Sequence, residues 1–152
     1  MKRLVCYLLL IMSFCAFNSR VWAADAGASK DAMAMVKKAV AYLKLNGKDK
    51  TLSEASNPKG LFVNGDIYLT ITDSTGRVLA HGLNPRLIGK DAIELKDVDG
   101  KYFVKEMLVI AKKEGSGWVD YKWPNPITRE IQLKSVYFEQ IDHLVIQSGY
   151  YK

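Results

Sequence analysis

Apolar positions recur along this chain at two spacings, 3.6 and 2, and the switches between them mark out its elements. From Lys30, the residues Ala32, Val36, Ala39, Val40 and Leu43 fall at i, i+4, i+7, i+8 and i+11, one stripe of an amphipathic helix. Asn46-Gly47 supplies its stop. Thr51-Leu-Ser-Glu54 has the spacing of a capping box and predicts a second, short helix from Thr51, broken by Asn57-Pro58-Lys59-Gly60.

The period then changes to 2. Ile67, Leu69 and Ile71 alternate with Tyr68, Thr70 and Thr72, a strand pattern; Asp73–Gly76 is a tight turn, and Arg77–His81 returns as the second arm of a hairpin. Asn84-Pro85 and Gly89-Lys90-Asp91 punctuate an irregular stretch. Asp97-Val-Asp-Gly100 leads into a helix predicted over Lys101–Lys113, with the two carboxylates as its N-terminal cap and Gly115 as its stop. Three strands close the chain: Gly117–Trp123, about Glu130 to Gln140, and Leu144–Tyr150. Helices first, one helix in the middle and neighbouring strands on short links predict an α+β domain, an antiparallel sheet with helices packed on it.

The N-terminus changes how the composition is read. Lys2 and Arg3 precede an apolar run from Leu4 to Phe17, with small residues reached at Ala23. Residues 1–23 read as a signal peptide, either removed after Ala23 or kept as an anchor, and residues 24–152 as one ligand-binding domain in the periplasm or outside the cell. Both cysteines, Cys6 and Cys15, fall in that segment, so the remaining domain has no thiol for a disulfide, a nucleophile or a metal. Lys2, Arg3 and Arg20 leave with it and no acidic residue does, which takes the formal net charge from +6 to +3. The remaining basic residues are dispersed, which argues against nucleic acid and suits small anions.

Catalytic constellations are missing from the pattern. His81 and His143 are the only histidines and stand far apart. Ser116, in Gly-Ser-Gly, lacks the strand-to-helix elbow of a nucleophilic serine. No histidine or cysteine pair has metal-ligand spacing, and the Gly of Asp97-x-Asp99-Gly100 comes too early for a calcium loop. No enzyme activity, metal or cofactor is expected.

Binding residues are easier to find. In Gly115–Lys134, Val119, Tyr121 and Trp123 take one strand face, and Trp118, Asp120 and Lys122 the other. Tyr121 and Trp123 read either as core or as two ring walls with one donor each. Lys134 stands in an apolar run, Leu133 to Phe138, that would not choose a charge; it reads either as a cation for a bound anion or as a snorkelling lysine on an edge strand. His81 ends a strand before the Gly82–Pro85 loop, at a pocket rim or in a structural role. Tyr137 lies on the opposite face from Lys134, so it joins the same pocket only through a bulge; it is nonetheless included as a ring close to the site.

With these residues in hand, the chain resembles the single Cache domain family of extracytoplasmic, PAS-like ligand sensors. The stretches that carry the resemblance are Ile67–His81, Asn84–Asp91, Asp97–Phe103, Gly115–Pro124, Lys134–Tyr137 and Val145–Tyr150, in this order and spacing. The resemblance implies a long N-terminal helix behind a central antiparallel sheet and a ligand cavity on the sheet's other face. It implies a small organic acid, amino acid or similar metabolite as ligand, with His81, Tyr121, Trp123 and Lys134 as the matching positions. It also implies a signalling output, expected here to pass through a partner such as a membrane receptor or transporter. The alternative expectation is an interaction subunit docking on that partner without a ligand of its own.

Overall fold

The computed structural model describes residues 19–152, so the expected signal peptide lies outside the described residues up to residue 18. Helix α1 spans Ser19–Asn46, α2 Lys48–Ala55 and α3 Phe103–Glu114; the strands are β1 Val63–Asn64, β2 Ile67–Asp73, β3 Val78–His81, β4 Ser116–Pro124, β5 Ile131–Ile141 and β6 Leu144–Tyr151. All pairings are antiparallel and run in the order β1-β2-β6-β5-β4, with β3 also on β2. The α+β class read from the spacing is the class observed.

The alternation along the strands sorts their side chains to two faces. Leu69 and Ile71 of β2, and Leu144 and Ile146 of β6, pack against Val36, Ala39 and Val40 of α1. On the other face α3 lays Phe103, Val104 and Met107 over Val119, Val136, Phe138 and Val145. The second face therefore receives Tyr68, Thr70 and Thr72 from β2, Gln147 from β6 and Lys134 from β5. These residues are why that face is not wholly filled.

Three expectations at the helix ends need correction. Helix α1 does not begin at Lys30: the turns before it are helical too, in an alanine-rich segment whose Ala28 packs with Ala32, Ile67 and Tyr150. The capping box does not form. Gly47, at φ 79°, ends α1 and starts α2 at once, so Thr51 already lies inside the helix and its hydroxyl donates back to the Gly47 carbonyl at 2.7 Å. Glu54 instead accepts from the Leu61 N–H at 2.6 Å and ties down the following loop.

The Asp97–Asp99 pair does not cap α3 either. That helix starts at Phe103, after Tyr102, without a side-chain cap. Asp97 accepts from the N–H groups of Asp99, Lys101 and Lys122 at 2.9, 2.9 and 3.0 Å, which fastens the loop to the free edge of β4. The far end of α3 is as expected: Gly115 takes the left-handed conformation at φ 78° and donates to Ala111.

Candidate functional site

Between the α3 face of the sheet and the segment that follows β3 lies a cavity of about 50 Å³, room for several waters or one small organic molecule. Strand register orders the sheet side of it, where Tyr121, Lys134, Val136, Gly149, Gln147, Thr70 and His81 line the cavity. Tyr121 of β4, Lys134 of β5 and Tyr151 of β6 form one cross-strand row; Val119, Val136 and Gly149 form the next; Phe138, Gln147, Thr70 and His81 form a third.

Lys134 is the cation of this cavity. Its residue is 3% exposed, on a strand flanked by β4 and β6, so it guards no sheet edge. Its Nζ lies 3.9 Å from the centre of the Tyr68 ring and 4.8 Å from that of Tyr151. No carboxylate of the described residues pairs with it. Burial lowers the ammonium from the ordinary lysine range, opposed by Tyr68 and by the field of Asp66.

Two further donors line the same cavity. Burial, then Tyr68, pushes the Tyr121 hydroxyl above the ordinary tyrosine range, so it stays protonated. His81 is buried, its ring 4.9 Å from Tyr68. Its Nδ1 accepts from the N–H groups of Leu83 and Asn84 at 3.2 and 2.9 Å, which assigns the ring proton to Nε2. Burial first and Lys134 second bring its pKa down to about 4, so the imidazole is neutral at pH 7. An ammonium, a phenol and a neutral imidazole on one cavity wall are donors that can receive a small anion. Among the described residues no group of three or more His, Asp or Glu is placed to hold a metal.

Of the five residues singled out from the sequence, four line this cavity. Lys134, Tyr121, His81 and Trp123 do so; Trp123 stands edge-on to Phe103 and Tyr121, with ring centres 5.3 and 6.1 Å away. Tyr137 does not. No bulge interrupts β5, so it faces α1, packs in the other core cluster and donates to Glu139 at 2.8 Å. Two ring residues escaped the sequence reading: Tyr68, beneath the ammonium, and Phe103, stacked on Tyr121 at 4.0 Å. Tyr68 was visible only as one polar-side member of the β2 alternation.

Comparison with known proteins identifies relatives of this fold. The family model described as Single Cache domain 2 matches residues 28–151. Methyl-accepting chemotaxis protein McpP of Pseudomonas putida is 32% identical over 74 residues, 49% of this chain and 14% of that protein. Sensor histidine kinase MctS of Rhizobium johnstonii is 31% identical over 88 residues, 57% of this chain and 19% of that protein. The chain thus spans less than a fifth of the length of these curated relatives. A solved structure described as the structural basis for carboxylic acid recognition by a Cache chemosensory domain superposes with a TM-score of 0.73 at 26% identity, covering 88% of this chain and 97% of that one.

Proposed function

We propose, for a chain that belongs to the single Cache domain 2 family of ligand-binding signalling modules, that it binds a small carboxylate in the cavity at Lys134. The observation that carries this reading is a buried lysine that lines the cavity and has no carboxylate paired to it. Burying an unpaired charge costs several kcal/mol, far more than the rings beneath it return. An anion that enters the cavity offsets that loss; Tyr121 and His81 donate to its oxygens while Trp123 and Phe103 exclude water. The cavity's size favours acids of about two to five carbons.

The resemblance to a protein described as recognising carboxylic acids supports the same class of ligand. The curated relatives are a chemotaxis receptor and a sensor kinase, which supports a sensory role outside the cytoplasm with a membrane receptor or transporter as partner.

The test is a thermal-shift and calorimetric screen of C2–C5 acids and amino acids on the protein and on Lys134→Met. A ligand at one hundred times its Kd raises stability by about 2.7 kcal/mol. Absence of any shift in the unaltered protein, or an equal shift in the variant, overturns the reading. Ligand-dependent capture of an envelope protein tests the partner.

A further inference from the structure

The cavity continues past the ammonium along β2, and its far half holds polar groups that the anion site does not use. Thr72 is 2% exposed and its Oγ1 has no hydrogen-bond partner, the one buried side-chain polar atom of the described residues in that state. Its neighbours in register are Val78 and Val145, and valine would have the same shape there. Nearby on β6, Gln147 is buried against the same cavity, and its amide makes no hydrogen bond within the described residues. A buried hydroxyl without a partner is a net loss to the fold, and native proteins seldom keep one.

Building on the carboxylate reading above, we infer that the ligand carries a second oxygen at the end remote from its carboxylate, received by Thr72 and Gln147. The ligand is then a hydroxy or keto acid rather than an unsubstituted alkanoic acid. Tyr68, under the ammonium, and Thr72 are four residues apart on one strand, about 13 Å at 3.3 Å per residue. Hydrogen bonds of about 3 Å at each end take up nearly half of that distance. What remains spans a four- or five-carbon chain.

Calorimetric titration with 4-hydroxybutyrate and with pentanoate, which differ by a hydroxyl in place of a methyl, tests this on the protein, Thr72→Val and Thr72→Ser. The expected result is about tenfold tighter binding of the hydroxy acid, lost in Thr72→Val and kept in Thr72→Ser. Thr72→Val should also melt higher than the unaltered protein without ligand. Equal or tighter binding of pentanoate to the unaltered protein overturns the inference, as does a preference that survives Thr72→Val. Binding of acetate or propionate alone overturns it while leaving the anion site standing. If no acid binds at all, both fall together.

Discussion

The ammonium of Lys134 rests 3.9 Å from the centre of the Tyr68 ring, although their strands, β5 and β2, are separated by β6. The register pairs Lys134 with Tyr151 on β6, so the lysine side chain crosses that strand to reach the Tyr68 ring. A ring face returns about 0.5–2 kcal/mol to a cation, and burying that cation costs several. The fold therefore carries this charge at the expense of stability.

Replacing that lysine should move stability and binding in opposite directions. Lys134→Met fills the same space without charge, so the ligand-free protein should gain about 1–3 kcal/mol in urea denaturation. Its carboxylate-induced thermal shift should vanish. A variant that loses stability and still binds acids would show that Lys134 serves the core and not a ligand.

His81 makes stability depend on pH in a stated window. Its folded pKa, about 4, lies below the ordinary value of 6.5, so the folded state resists protonation. The stability it supports is complete above pH 6.5 and is lost as pH falls toward 4, on the order of 3 kcal/mol in all. Between pH 6.5 and 5 most carboxylates remain ionised, so the slope there reports this histidine. His81→Asn, which keeps an acceptor for Leu83 and Asn84, should flatten denaturation midpoints across that interval.

Gly149 lets β6 lie close to β5 beside the cavity, opposite Val136. A Cβ there would lie 2.5 Å from the Ser135 carbonyl oxygen and 2.6 Å from Val136 Cγ2. The first contact is backbone and cannot swing aside. Gly149→Ala should cost about 1–3 kcal/mol and weaken acid binding by pushing β6 from β5 beside the cavity. Unchanged melting together with unchanged affinity would contradict this role.

Asn125 ties the β4–β5 loop to the pocket end of the sheet. Its Oδ1 accepts from Ile127 and Thr128 at 2.8 and 3.3 Å, while Nδ2 donates to Gln132 and Asp66 at 2.8 and 3.2 Å. Asn125→Ala strands several of these groups and should cost about 1–3 kcal/mol. Faster amide exchange at Ile127 and Thr128 is the expected local signature, measurable by hydrogen–deuterium exchange.

Local spacing alone was enough to find five of the six strands, the two-faced character of β2 and β4, and the Gly115 stop, because period and turn chemistry act over a few residues; the two-residue β1 is too short to show a period. The same local logic failed at Thr51 and Asp97. Whether a side chain caps a helix depends on where the preceding backbone bends and on which strand edge is near. Tyr137 was included against its own alternation, and the unbroken β5 ladder turns it toward α1.

By itself, then, the order of residues determined an α+β fold and, within β4, one face bearing two rings, since side-chain direction in a strand follows parity. Tertiary structure alone decided that Lys134 lies opposite Tyr121, reaches Tyr68 two strands away and finds no carboxylate to pair with. Register is set by the whole ladder and by the helices that cover it. No short window of sequence contains it.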